Sequence, residues 1–207
     1  HANIQMAVDS LKMGAFEFIQ KPFAKERLLN FIYRAVENVD LKIEKKDLES
    51  KLFQSYDIVG QSQGIQKVKS LISKLSSTES RVFISGPAGS GKELVARQIH
   101  KQSSRSSKPF IVVNGALLDP EKYELELFGS ENVDGSTNYG FFEKAKDGTL
   151  LIDEISEIPL ETQAKILRVL IDQKFKRCNG IKEINVSVRI ISTSSKNIRE
   201  EVDKGNF

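Results

Sequence analysis

An eight-residue stretch, Gly86-Pro-Ala-Gly-Ser-Gly-Lys92-Glu93, leaves few folds open to the 207 residues around it. It follows the apolar run Val82-Phe-Ile84 and precedes Leu94–His100, which has helical spacing. Gly86, four further residues and then Gly91-Lys92 have the spacing of a phosphate-binding loop. In such a loop the glycines let backbone N–H groups from Ala88 through Gly89, Ser90 and Gly91 to Lys92 converge on phosphate oxygens, with Pro87 contributing none, and the next helix adds the positive end of its dipole. Lys92 is expected on the β/γ-phosphates. The last position, usually the Ser or Thr that holds magnesium, is Glu93. A ligand-free glycine turn has the same local pattern, but the strand before it and the helix after it favour phosphate.

A second segment fits the first. Gly148-Thr-Leu-Leu-Ile152-Asp153-Glu154 is an apolar strand ending in two acids. Alone, those acids would serve as well to cap the next segment. Downstream of a phosphate loop, Asp153 is expected to hold Mg²⁺ through water and Glu154 to polarise an attacking water. Further short strands are expected at Phe110–Val113 and Val188–Ile191. Helices are expected over Ile65–Leu75, Glu93–Gln102 and Leu160–Gln173. Strands alternating with helices imply an α/β fold, a parallel sheet covered on both faces.

Composition excludes several classes. The net charge is only +3, and 39% hydrophobic residues are enough to bury a core, so neither a polyelectrolyte nor a disordered tail is expected. Apolar runs reach four residues at most, too short for a membrane span, and no signal peptide opens the chain. A single cysteine, Cys178, excludes an internal disulfide, and two distant histidines, His1 and His100, speak against zinc. A cytoplasmic location is expected. Because residue 1 is His, the chain is expected to be part of something longer.

The first residues have another texture. Ile4, Ala7, Val8 and Leu11 have helical spacing up to Gly14, and Phe16–Ile19 is expected as a short strand halted by Lys21-Pro22. A long helix is expected from Glu26 through Val39 and on through Ile43, Leu48 and Leu52. Its charged run from Lys42 to Glu49 suits either a solvated face or a helical linker that pairs with its copy.

Together, Gly86–Glu93, Glu126-Leu-Phe-Gly129, Gly148–Ile155 and Val188-Arg-Ile-Ile191 resemble the AAA+ domain of sigma-54-interacting (NtrC-type) transcription regulators. The resemblance makes Glu93 ordinary, since the loop commonly ends in Glu there. It places Ile58, Val59 and Gly60 near the adenine and gives Asn114 the role of restraining the catalytic Glu154. The ATP-binding set it implies is Ile58, Val59, Gly60, the loop Gly86–Glu93, and Ala145, Lys146, Asp147, Gly148, Thr149, Leu150, Leu151, Ile152, Asp153 and Glu154. Arg177 and Arg189 match arginines near the subunit interface. Gly14-Ala-Phe-Glu-Phe-Ile-Gln-Lys21-Pro22-Phe23 resembles the end of a response-regulator receiver, with Lys21 as the lysine that pairs with a phosphorylated aspartate.

The implied organisation is the end of a receiver over 1–39, a helical linker over 40–56, and most of an AAA+ core over 57–207. The phosphoacceptor would precede residue 1, and the lid, the catalytic arginines and a DNA-binding domain would follow Phe207. Two departures stand out. The family's Gly-Ala-Phe-Thr-Gly-Ala loop, which grips the sigma factor, is replaced by the polar run Asn132–Asn138, as in the NtrX-like branch. The usual Ala-Thr-Asn ending a later strand is Thr193-Ser194-Ser195. The resemblance implies a two-component regulator with ATP and Mg²⁺ as cofactors, a homo-oligomer answering to a sensor histidine kinase. A protein-remodelling AAA+ ATPase and a nucleotide-dependent scaffold are the alternatives.

Overall fold

The computed structural model describes residues 9, 15–19, 21–54, 57–132 and 135–207, with backbone alone over 40–54. Two compact units divide between Ser55 and Tyr56.

In the first unit, one helix, α1 (Lys25–Gln54), runs 30 residues without a break across the expected boundary at residue 39/40. It leaves Leu29, Ile32, Val36 and Val39 exposed at 3-4-3 spacing. Phe16–Ile19 is not a strand. No described residue pairs with its backbone, and the Phe18 N–H is taken by the neighbouring Glu17 carboxylate instead. Lys21 is exposed; within the expected helix Asp9 alone is described and is helical, while Ile4, Ala7, Val8, Leu11, the stop at Gly14 and the charged side chains of Lys42–Glu49 lie outside the described residues.

The second unit is built on four parallel strands: β1 (Val82–Ser85), β2 (Phe110–Asn114), β5 (Thr149–Asp153) and β8 (Arg189–Ser194). Their order is β1-β8-β5-β2. Each matches an apolar run in the sequence, and the parallel α/β arrangement is the expected one. Helices α2 (Gln63–Ser76) and α3 (Lys92–Lys101) belong to one side. On the other side lie α4 (Tyr123–Phe128), α5 (Phe141–Lys144) and α6 (Leu160–Asp172). Side chains alternate along a strand, so β5 divides its residues between two cores. Leu150 and Ile152 join Val113, Phe142 and Ile166, whereas Leu151 joins Ile72, Ala96 and Ile99. Leu150, Leu151 and Ile152 are fully buried, as expected of a strand covered on both faces.

Two small hairpins were not expected from the sequence. Strand β3 (Ser130–Glu131), just before the polar run, pairs with β4 (Thr137–Asn138), its last two residues, and β6 (Lys174–Lys176) pairs with β7 (Glu183–Asn185). A last short helix, α7 (Ile198–Asp203), is capped by Asn197, whose side chain accepts the Arg199 N–H.

Candidate nucleotide site

The glycine loop links the C-terminal end of β1 to the first residue of α3. Gly91, at φ 87° and ψ 24°, caps the helix in the left-handed region that glycine enters without penalty. Lys92 opens α3 and is 8% exposed. Its ammonium donates to the carbonyls of Gly86 at 3.0 Å and Pro87 at 3.3 Å, and pairs with Glu154 Oε1 at 3.2 Å. All three protons are therefore engaged within the chain, and a phosphate must compete with Glu154 for this charge.

Parallel strands bring the acids to the same end of the sheet. The register pairs Asn114 with Asp153 and Ile152 with Ser192. Asp153 Oδ2 accepts the Asn114 amide at 3.0 Å and its Oδ1 accepts the Thr193 hydroxyl at 2.5 Å. Glu154 leaves the strand in the left-handed region, φ 51° and ψ 54°, which costs a non-glycine residue about 1 kcal/mol or more. Gly115 permits this close turn, because a Cβ there would lie 2.6 Å from the Glu154 carbonyl oxygen. The Glu154 Oε2 atom accepts from Ser195 N at 2.7 Å and Ser195 Oγ at 2.8 Å. Burial pushes the Glu154 carboxyl up, but the two Ser195 bonds and Lys92 outweigh it and hold the pKa below the ordinary value.

These contacts revise several expectations. Asn114 holds Asp153, not Glu154; Glu154 is held by Ser195 and Lys92. Glu93 is directed along the helix to Arg97, with a 2.6 Å ion pair, rather than into the loop. Ala145, Lys146, Asp147 and Gly148 form the turn that enters β5 at the end opposite the acids. At about 3.3 Å per residue, four residues separate Thr149 from Asp153 by roughly 13 Å. Thr149 is fully buried and meets His100 Nδ1 at 2.9 Å, so Ala145–Ile152 carry the acids into place without lining the loop.

Ile58 packs against the core beside α2, Val59 is exposed, and the Gly60 carbonyl accepts from Lys69. Ile58, Lys69, Ser73 and Gln98 line a cleft of about 320 Å³. Neither arginine matched to the interface is free. Arg177 pairs with Glu131 at 2.9 Å and Glu143 at 2.6 Å, and Arg189 is 2% exposed with one hydrogen bond to the Leu75 carbonyl. Thr193 was missed by sequence reasoning. The available signals were the hydroxyl-rich end of an otherwise apolar strand and its departure from the usual Ala-Thr-Asn.

The donor set suits magnesium. Among the described residues no three His, Cys, Asp or Glu side chains gather into an all-protein metal cage. Mg²⁺ is ordinarily held by one or two carboxylates, waters and substrate phosphates. Asp153 at a strand end, beside a phosphate loop, offers that arrangement.

The sigma-54 interaction domain matches residues 58–207. The chain belongs to the sigma-54 interaction domain family. Among its relatives, the nitrogen assimilation regulatory protein NtrX of Azorhizobium caulinodans is 43% identical across the whole of this chain, which spans 46% of that protein. The structure of NtrX from Brucella abortus superposes with a TM-score of 0.80 at 44% identity, over all of this chain and 46% of that one. NtrX from the same organism in complex with ATP gives a TM-score of 0.75 at 44% identity, covering all of this chain and 44% of that one. The chain thus spans about half the length of these relatives. Within the family's domain, the loop and the two acids lie together at the C-terminal ends of β1 and β5, the edge where ligands bind in open α/β sheets.

Proposed function

We propose that this chain is the ATP-binding core of a two-component response regulator that controls transcription. The observation carrying this reading is the convergence of Lys92, Asp153 and Glu154 on one end of the parallel sheet, 3.2 Å separating Lys92 from Glu154. Lys92 takes the β/γ-phosphates, Asp153 holds Mg²⁺ through water, and Glu154, released from Lys92, orients water against the γ-phosphate. The ATP complex of the Brucella abortus relative supports the choice of nucleotide. Ile58, Val59 and Gly60 are placed beside the base, next to the cleft at Lys69.

Regulation follows the two-component pattern. Lys21 serves the receiver, a sensor histidine kinase phosphorylates it, and DNA is bound through a further domain, all in the cytoplasm. Among the described residues no helix is long and apolar enough to cross a membrane. The exposed Leu29, Ile32, Val36 and Val39 stripe of α1 supports pairing between copies.

Sigma-54 remodelling is not part of this function. Where the sigma-gripping loop carries an apolar Phe, residues 132–138 are polar apart from Val133, and Arg177 ties the hairpin base to Glu143. The test is a binding assay between this chain and sigma-54 with an ATP transition-state mimic. No complex is expected; a stable, mimic-dependent complex contradicts the reading.

A further inference from the structure

Thr193 is fully buried near the end of β8, where a hydroxyl is tolerated only if its bonds are made. It makes two. The Glu154 N–H donates to Thr193 Oγ at 3.1 Å, and Thr193 Oγ donates to Asp153 Oδ1 at 2.5 Å. The directions are fixed, because an N–H only donates and a carboxylate only accepts. Turning into the left-handed region takes the Glu154 N–H off the strand ladder, and Thr193 supplies the acceptor it would otherwise lack. With Asn114 on Oδ2, each oxygen of Asp153 has one donor, which fixes the rotation of the carboxylate. Two of its about four lone-pair sites are left for other donors or a cation.

We propose that Thr193 is a positioning residue for magnesium: one hydroxyl orients the metal-side acid, Asp153, and anchors the backbone of the water-side acid, Glu154. The proposal rests on the nucleotide reading above. It departs from the resemblance, which usually puts alanine at this position. Groups that orient a metal-holding carboxylate typically alter metal affinity by about 10–100-fold when removed.

The test is a titration of the full chain with a fluorescent ATP analogue, in EDTA and across a Mg²⁺ series. In Thr193→Val the metal-free affinity is expected within about twofold of the unaltered chain. The Mg²⁺ concentration giving half of the affinity gain should rise about tenfold. Thr193→Ser, which keeps the hydroxyl, should restore the original midpoint. If the valine variant does not fold, Thr193→Ala is read the same way. An unchanged Mg²⁺ midpoint overturns the proposal, as does an equal loss of metal-free affinity, the mark of a purely structural role. Binding by the unaltered chain that ignores Mg²⁺ overturns it too. A chain that binds no nucleotide at all overturns the nucleotide reading itself, and that result needs no variant.

Discussion

At His100 the imidazole is 2% exposed, lies 5.0 Å from the Phe110 ring and shares a hydrogen bond with Thr149. Burial, helped by the nearby charges of Arg189 and Arg97 and opposed by a backbone hydrogen bond at Lys108, lowers its pKa from 6.5 to about 4. The sign follows directly. Between those values the unfolded chain takes up a proton that the folded chain refuses, so stability falls as pH drops through this window. The full loss is about 3 kcal/mol at 1.36 kcal/mol per unit. Urea midpoints at pH 7 and pH 4.5 should therefore lie closer together in His100→Gln than in the unaltered chain; equal separation contradicts the argument. Single residues were legible where chemistry is contiguous, as for Lys92, Asp153 and Glu154. Asn114, Thr193 and Ser195 drew notice only through the resemblance, and which acid each one meets depends on the register of β2, β5 and β8, which no local pattern encodes.

Among the elements, the β3–β4 hairpin depends on one cation. Arg177 spans Glu131 and Glu143 and lies 5.3 Å from the Tyr139 ring. At the hairpin base, a Cβ on Gly140 would run into the backbone of Gly129 and Leu127, so the two ends close tightly. Cys178 adds backbone bonds to Gly129 and Glu131. Arg177→Ala should remove charge-assisted bonds amounting to roughly 1.5–3 kcal/mol. Amide exchange across residues 129–132 and 135–140 should accelerate while β5 and β8 stay protected. Uniform acceleration, or none, counts against a local clamp. Long elements such as α2, α3 and α6 were legible because their apolar period persists over several turns. The hairpins have two or three residues per strand, too few for alternation to register, and Phe16–Ile19 has strand-like alternation but no partner among the described residues.

For the whole molecule, binding and turnover separate. A transition-state arginine contributes about 10³–10⁵ to phosphoryl transfer. Arg177 is committed to two carboxylates and Arg189 is buried, so neither can supply that charge. Phosphate release by residues 1–207 should match that of Glu154→Gln; robust hydrolysis lost in that variant contradicts this expectation. The parallel sheet was legible from its four apolar runs, whereas the strand order β1-β8-β5-β2 had to come from the structure. The nucleotide reading depends on the loop itself. A titration with a fluorescent ATP analogue and Mg²⁺ should show saturable binding by the chain. Lys92→Ala should weaken it about ten- to a hundredfold, through loss of a charge-assisted contact of roughly 1.5–3 kcal/mol. Equal affinity in the two proteins would contradict ATP binding at this site.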